Sequence, residues 1–144
     1  MRFLLDTNII SELVRPAPDA RVVAWVRAQS TLDLALSVLT LGELEKGIRT
    51  LSDGARRERL ARWARTEVPR QFLGRLLAVE EAVALAWGQL AADAQAAGRP
   101  LPVIGGLLLA TAGAHGLTLV TRNVSDCAGR GVALFDPWTG TGHD

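Results

Sequence analysis

The sequence predicts a single α/β domain with three layers, in which helices cover both faces of a small central parallel sheet. Short apolar runs of strand length alternate along the chain with segments whose apolar residues recur at helical spacing. Strands that alternate with helices in this way are typical of a parallel sheet covered on both faces. A length of 144 residues with a hydrophobic content of 49% suits one domain that has its own core.

The chain begins with a predicted strand followed by two predicted helices. Residues 2–6 form a short apolar run that ends in Asp6, as expected of a buried strand whose carboxyl end meets a loop. The apolar residues from Thr7 to Val14 fall at helical spacing, and two prolines then stop that helix. Asp19 suits the N-cap of the next helix.

A second strand and two further helices complete the first half. Residues 33–37 read as a buried strand, and apolar residues over 41–51 mark one face of the helix that follows it. An arginine-rich helix is predicted over 55–68, and Pro69 is expected to end it.

The second half repeats the alternation of helices and strands. A long helix, an apolar helix and two strands are predicted over 80–97, 103–115, 117–121 and 132–135. Residues 139–144 are rich in glycine and threonine and are expected to form a flexible tail, so the folded domain is assigned to residues 1–138.

Composition excludes several classes of protein. A single cysteine, Cys127, excludes an internal disulfide, and with only two histidines beside it the chain cannot build a zinc site. No apolar run approaches the roughly 20 residues needed to cross a bilayer, and the first residues lack a cleavage-site pattern. These features predict a soluble protein of the cytoplasm. The net charge of +1 means that any contact with nucleic acid must depend on local basic patches.

Three acidic residues occupy positions that suggest a metal site. Asp6 ends the first strand, Glu43 lies at the start of a helix, and Asp126 lies in the predicted loop after the third strand. In open parallel sheets, ligands bind beyond the carboxyl ends of the strands, where these residues are expected to meet. Carboxylate oxygens are the ligands that Mg²⁺ prefers, and such an ion can promote phosphodiester hydrolysis.

Each of these acids also has a purely structural explanation. Asp6 could cap the helix that begins at Thr7. Thr40 and Glu43 have the spacing of a capping box, in which the carboxylate bonds to the Thr40 amide. Asp126 could be an ordinary turn residue.

Two other groups of residues that could contact RNA have plain explanations as well. The arginines of the 55–68 helix could simply form a solvent-exposed helix face. They could also contact RNA phosphates or an acidic partner protein. The tryptophans are expected to fill the core or an interface rather than to stack on bases: Trp25, Trp63, Trp87 and Trp138.

The ordered motifs carry a family resemblance that spans nearly the whole chain. Three segments, with Gln71–Arg75 and Asp136–Trp138 in support, resemble the motifs of PIN-domain ribonucleases, specifically VapC-type toxins of type II toxin–antitoxin systems: 4–13 (LLDTNIISEL), 37–47 (SVLTLGELEKG) and 119–126 (LVTRNVSD). The resemblance implies a PIN-like three-layer α/β/α fold.

The resemblance also implies a function and partners. The family consists of endoribonucleases that depend on Mg²⁺ or Mn²⁺, form homodimers, and are held silent by a VapB-type antitoxin that occupies a groove, where an antitoxin arginine can reach the acids. Such a complex binds operator DNA only through the antitoxin. By motif, Asp6, Glu43 and Asp126 correspond to the metal ligands and catalytic acids. The resemblance further implies that polar neighbours orient these carboxylates: Thr7, Asn8, Thr121 and Asn123. Asp126 is favoured over Asn123 as the charged ligand because asparagine carries no negative charge.

The sequence departs from the family pattern at Gly105, where relatives carry a metal-binding aspartate. Loss of one anionic ligand should weaken divalent-ion binding, so impaired or absent nuclease activity is predicted for this chain, with its fold preserved. Gly105 could instead be an ordinary N-cap or loop glycine. The competing hypothesis is a catalytically dead PIN-fold binding protein that acts through an antitoxin complex on operator DNA.

Overall fold

The computed structural model of the protein describes residues 1–143 and has the predicted α/β/α architecture. The strands are β1 (Phe3–Leu5), β2 (Leu34–Ser37), β3 (Leu76–Leu77), β4 (Thr118–Val120), β5 (Leu134–Asp136) and β6 (Thr141–His143). The helices are α1 (Thr7–Leu13), α2 (Ala20–Ala28), α3 (Val38–Arg49), α4 (Gly54–Arg62), α5 (Val68–Gln71), α6 (Glu81–Ala96), α7 (Val103–Ala114) and α8 (Val124–Cys127). Within residues 1–143, no helix combines the length and the apolar character needed to span a membrane.

The sheet has the strand order β3-β2-β1-β4-β5-β6, and all pairings except β5 with β6 are parallel. Strand β1 is central, since Phe3 pairs with Leu34 of β2 on one side and with Thr118 of β4 on the other. The carboxyl ends of β1, β2 and β4 therefore meet at one edge, as the sequence predicted.

Neighbouring residues of β1 divide the core into two halves. Leu5 belongs to one apolar cluster with Ile9 of α1 and Val22 of α2, whereas Leu4 belongs to a second cluster with Leu109 of α7. Successive side chains of a strand point to opposite faces of the sheet, so each half of the core lies under a different layer of helices. This division is the physical basis of the three layers.

The expected helix end at Pro69 is wrong. After α4 the chain continues through a π-helical turn, Trp63–Glu67, directly into α5, and Pro69 is the second residue of α5. Proline is tolerated in the first turn of a helix because amides there lack partners within the helix. The π-helical turn before Pro69 therefore lets the chain continue from α4 into α5, where the sequence had suggested a break in the helix.

The carboxyl-terminal segment also differs from the expectation. Thr141–His143 form strand β6, which pairs with β5 in antiparallel fashion, and Asp144 lies outside the described residues. The turn that allows this pairing contains Gly140, whose φ of +74° is readily adopted only by glycine. Three residues of the predicted flexible tail are thus paired with the sheet.

Candidate functional site

Polar side chains from three elements converge where β1, β2 and β4 end. Asp6 follows β1 directly, Thr121 follows β4, and Glu43 lies on α3, which begins directly after β2. Because β1 lies between β2 and β4, these elements share the carboxyl edge of the sheet.

The Asp6 carboxylate accepts hydrogen bonds from the first residues of α1 and from the residue that follows β4. The Thr121 hydroxyl donates to Asp6 Oδ2 at 2.7 Å, the Thr7 amide donates to Oδ1 at 2.7 Å, and the Asn8 side-chain amide donates to Oδ2 at 3.3 Å. Asp6 is also the N-cap of α1, so the structural explanation of this residue is correct and compatible with a role in the site.

The pKa of Asp6 is raised above its ordinary value, chiefly because burial removes water from the carboxylate. The negative charge of Glu43 raises it further, while the hydrogen bonds from Thr121, Thr7 and Asn8 act in the opposite direction. A partly buried carboxylate that feels a second one is a typical feature of a cation-binding site.

Glu43 is linked to the same site through Thr7. The Thr7 hydroxyl donates to Glu43 Oε1 at 2.5 Å, and it lies 3.0 Å from the hydroxyl of the buried Thr40. The predicted capping box of Thr40 and Glu43 is therefore wrong. The N-cap of α3 is Ser37, whose hydroxyl accepts the Leu39 amide at 3.0 Å, and this leaves Glu43 free to face β1.

Asn8 and Asn123 complete the polar network. The Thr121 hydroxyl accepts the Asn123 amide at 3.0 Å and lies 3.5 Å from the Asn8 side-chain nitrogen. The Asn8 side-chain oxygen is buried, and no hydrogen-bond donor within residues 1–143 reaches it. A buried, unpaired oxygen beside Asp6 is an acceptor that water or a cation could satisfy.

Asp126 is not part of the Asp6–Glu43 pair. It is exposed on the short helix α8, where the sequence predicted a loop, and its backbone carbonyl accepts a bond from the Arg130 side chain at 2.9 Å. In the described part of the chain, no three histidine, cysteine, aspartate or glutamate side chains lie close enough to hold a metal ion. The structure thus brings Asp6 and Glu43 together and leaves Asp126 nearby but separate.

Cys127 shows that α8 nevertheless lies close to the site. Burial raises the pKa of its thiol to about 11, and the negative charges of both Asp6 and Asp126 contribute to that rise. Cys127 therefore packs as a buried thiol near both carboxylates, within the core half that contains Leu4.

Gly105 is the third residue of α7, whose N-cap is Pro102, so the alternative of an N-cap or loop glycine is wrong. A helix that precedes a parallel strand runs opposite to it, which places the start of α7 at the carboxyl edge of the sheet. A Cβ atom added at Gly105 would meet only Pro102 Cβ, at 4.0 Å. A Cβ atom at Gly106 would come within 3.3 Å of the Trp87 ring. Gly106 is explained by packing, whereas Gly105 has no such explanation.

The donor set is compatible with Mg²⁺ or Mn²⁺. Asp6, Glu43 and the unpaired Asn8 oxygen are hard oxygen donors, and Mg²⁺ is commonly held by one or two carboxylates together with water and substrate phosphate. Two carboxylates without a third close anionic ligand form a weak site, since each missing anionic ligand removes electrostatic attraction for the cation.

Sequence reasoning missed two features of this edge. Thr40 is completely buried and supports Thr7, a contact between segments 33 residues apart that no local pattern reveals. The other is a cavity beside the site whose lining includes Arg122, which directly follows Thr121. The only local signal for it was the position of Arg122 at the end of a predicted strand.

The fold and the paired carboxylates define a class, a PIN-like α/β/α domain with its acidic residues at the carboxyl edge of the sheet. Residues 3–125 match the family described as PIN domain. The chain is 37% identical over 135 residues to the toxin FitB of Neisseria gonorrhoeae, across 94% of this chain and 97% of that protein. It is 35% identical over 135 residues to the VapC ribonuclease Y4jK of Sinorhizobium fredii, across 94% of this chain and 96% of that protein.

A solved structure agrees with these relatives. The crystal structure of FitAcB from Neisseria gonorrhoeae has a TM-score of 0.89 and 37% identity, over 94% of this chain and 98% of that chain. A structure of FitAB bound to an IR36 DNA fragment has a TM-score of 0.88 and 35% identity, over 94% and 95% of the two chains. The chain belongs to the PIN-domain family, in the group that contains FitB and the VapC ribonucleases.

Proposed function

We propose that this chain is the toxin of a toxin–antitoxin pair and acts as a metal-dependent endoribonuclease whose activity is weakened by Gly105. The observation that carries the proposal is the pairing of Asp6 with Glu43 through Thr7, at the carboxyl edge of a PIN-domain sheet. One relative named as a toxin and one named as a ribonuclease, each matched over 94% of this chain, support the same activity.

In this proposal Asp6 and Glu43 would hold a Mg²⁺ or Mn²⁺ ion, whereas Asp126 lies apart from them on α8 and would add only its negative charge near the site. The ion, when bound, would polarise the phosphodiester and help to activate the attacking water. Thr121, Thr7 and Asn8 orient the Asp6 carboxylate and, in the case of Thr7, also the Glu43 carboxylate. Such orienting groups commonly account for about 10- to 100-fold in metal affinity or activity.

Gly105 stands where the family resemblance places another acid, at the carboxyl edge and with room for a side chain. An aspartate there would add a negative charge in the first turn of α7, where the helix dipole favours it. We propose that its absence lowers the affinity for the ion and therefore the rate of RNA cleavage.

The proposed partner is a VapB-type antitoxin, by analogy with the solved structures of FitAcB and of FitAB bound to a DNA fragment. A cavity of about 420 Å³ beside Glu43 offers an apolar docking surface, lined by Leu44, Ile48, Leu51, Leu60 and Trp63. An antitoxin segment in this groove could bring a cationic side chain to Glu43. Contact with operator DNA would then be made only through the antitoxin, and we propose a homodimer located in the cytoplasm.

The test restores the missing acid and compares metal-dependent cleavage of total RNA. We expect Gly105→Asp to raise cleavage in Mg²⁺ or Mn²⁺ by about tenfold or more, and to increase the thermal stabilisation that Mn²⁺ produces. Gly88→Asp is the matched control, because Gly88 is a helical glycine of α6 with no neighbouring atom within 4 Å of an added Cβ. Glu43→Gln in the Gly105→Asp background should abolish the gain. Equal cleavage by the unchanged chain and Gly105→Asp would contradict the proposal.

A catalytically dead binding protein is the second candidate. The separation of Asp126 from the other two acids and the glycine at position 105 favour it. In that case the unchanged chain would still bind antitoxin and reach operator DNA in the complex, but Mn²⁺ would not stabilise it.

A further inference from the structure

A second cavity, of about 500 Å³, opens at the same edge of the sheet as the paired carboxylates. We call it the Arg122 cavity; six charged residues contribute to its lining: Glu12, Arg15, Asp19, Arg21, Arg122 and Asp136. Arg122 directly follows Thr121, whose hydroxyl binds Asp6, and strand β4 lies next to β1. Adjacent strands are about 4.8 Å apart, so an RNA strand placed on Asp6 would have its neighbouring nucleotide near this cavity.

The charges of the cavity are largely paired among themselves. Arg15 bonds to the buried Glu12 at 3.2 Å, and Arg21 bonds to Asp19 at 3.1 Å. Asp136 accepts the Trp138 amide at 2.8 Å. Three arginines and three acids leave the lining with no net charge, which does not favour a phosphate over other ligands. A wall of both donors and acceptors is instead suited to the polar edge of a nucleobase.

Arg122 differs from the other two arginines. Within residues 1–143 it has no carboxylate partner in ion-pair distance. Its guanidinium lies over the Trp138 ring at 4.9 Å from the ring centroid, and Trp138 is only 6% exposed. The tryptophan is therefore a core residue, in line with the core or interface position that the sequence predicted, and it supports the guanidinium of Arg122, an exposed residue. Planar guanidinium groups are surfaces on which unpaired RNA bases stack.

We infer that the Arg122 cavity binds an unpaired RNA base next to the cleaved phosphate, with the guanidinium of Arg122 as the stacking surface. Asp136 and the paired arginines would contact the polar edge of that base. The inference rests on the proposed ribonuclease function and adds to it a site that selects the RNA sequence. Trp138 is a positioning residue in this arrangement, because it acts on the base only through Arg122.

The test measures binding without metal, so it does not depend on catalysis. Affinities would be measured by fluorescence anisotropy for oligouridylate and oligoadenylate of about ten nucleotides, and for a ribose–phosphate chain of the same length that lacks bases. For at least one of the two base-containing chains, Arg122→Ala should lower the affinity by about 5- to 150-fold, the range reported for loss of one base-stacking side chain. The affinity for the abasic chain should stay nearly unchanged.

A second variant separates a base contact from a phosphate contact. Arg122→Lys keeps the positive charge but loses the planar stacking surface, so it should behave like Arg122→Ala. The control is Arg27→Ala, since Arg27 is exposed in the last turn of α2, roughly 12 Å along the helix from Asp19. This control should bind all three chains like the unchanged protein.

Each other result has a definite meaning. An equal loss on base-containing and abasic chains, with rescue by Arg122→Lys, would show a phosphate contact and overturn the base-binding inference. No loss with Arg122→Ala, while the unchanged protein still binds RNA, would overturn it too and leave the proposed ribonuclease function standing. If the unchanged protein bound none of the chains, the inference would be overturned, and the cleavage assay with Gly105→Asp would decide the proposed function separately.

Discussion

Replacement of Thr121 with valine removes one hydroxyl from the site and keeps the shape of the side chain. Thr121 is fully buried, and its hydroxyl both donates to Asp6 Oδ2 at 2.7 Å and accepts the Asn123 amide at 3.0 Å. Valine can do neither. The buried carboxylate of Asp6 would keep the bonds from Thr7 and Asn8, so it would lose its donor from β4 only.

The expected cost at neutral pH follows from these two bonds. A hydrogen bond to a charged group contributes about 1.5–3 kcal/mol, because a buried charge that loses its donor is poorly solvated. The Asn123 amide adds little, since Asn123 is exposed and water can replace the lost acceptor. We therefore expect Thr121→Val to lower the free energy of unfolding by about 2–3 kcal/mol near pH 7.

The cost should shrink in acid, and the direction follows from the pKa of Asp6. That pKa is already raised in the folded state above its ordinary value of 3.8, so the protonated carboxyl stabilises the fold at low pH and this contribution is lost as pH rises through the folded pKa. Thr121 is one of the groups that lower the pKa, so the valine variant raises it further. At neutral pH the ionised Asp6 carboxylate therefore lowers the free energy of unfolding of the valine variant more than that of the unchanged protein. In acid the protonated Asp6 carboxyl group lowers it little in either protein.

Urea unfolding near pH 7 and near pH 4 measures both quantities. The matched control is Thr111→Val, because Thr111 is also fully buried but its hydroxyl donates only to the Leu107 carbonyl, at 2.7 Å. The control should cost about 1 kcal/mol or less at both pH values. A Thr121→Val cost that equals the control, or that grows in acid, would refute the link between Thr121 and the charge on Asp6.

Three further predictions follow from packing and burial. Gly105→Ala should raise the free energy of unfolding by up to about 1 kcal/mol. Gly106→Ala should have a free energy of unfolding about 1 kcal/mol lower than that of Gly105→Ala, because its Cβ would crowd the tryptophan ring of α6. Urea unfolding of the two variants measures this difference. Arg99→Ala should speed amide hydrogen exchange in α8, since Arg99 donates to the carbonyl of Ser125 in this helix and to that of Ala128 directly after it, while Arg27→Ala should not. Cys127, with a thiol pKa of about 11, should react with iodoacetamide roughly a hundredfold more slowly in the folded chain than in urea, and similar rates would contradict its burial.

Local patterns in the sequence predicted most of the fold because its main strands and helices are signalled by nearby residues. The run that ends at Asp6 and the spacing from Thr7 onwards predicted β1 and α1, and Asp19 was correctly predicted as an N-cap. Strand β6 was missed because its residues, Thr141, Gly142 and His143, lack the apolar run that marks a strand. Strand β3 was missed because it has only two residues and exists through pairing with β2, which is distant in the sequence. Such pairing leaves almost no mark on the local sequence.

The site was harder to predict for the same reason. Ser37 and Thr40 are both plausible caps for α3, and local pattern alone cannot choose between them. Ser37 is the N-cap because β2 ends at this residue, and Thr40 is not because its hydroxyl contacts that of Thr7, which lies 33 residues earlier in the chain. The same contact directs Glu43 towards Asp6. Asp126, by contrast, lies on the short helix α8, which is held by a hydrogen bond from Arg99 to the Ser125 carbonyl. The sequence predicted a loop in this segment.

Asp6 has two effects on stability that oppose each other: it caps α1, and it places a charge in a partly buried position. A test of the site must therefore separate loss of the cap from loss of the metal ligand. As the N-cap of α1 it stabilises the fold, yet its burial beside Glu43 makes its charge costly until a cation binds. Loss of RNA cleavage in Asp6→Ala could therefore arise from a weakened helix as readily as from a lost metal ligand. Glu43 caps no helix, and its only side-chain hydrogen bond within residues 1–143 is to Thr7, so Glu43→Gln keeps the shape and isolates the charge. If Asp6 and Glu43 share an ion, Glu43→Gln should abolish stabilisation by Mn²⁺ without a comparable loss of stability in its absence.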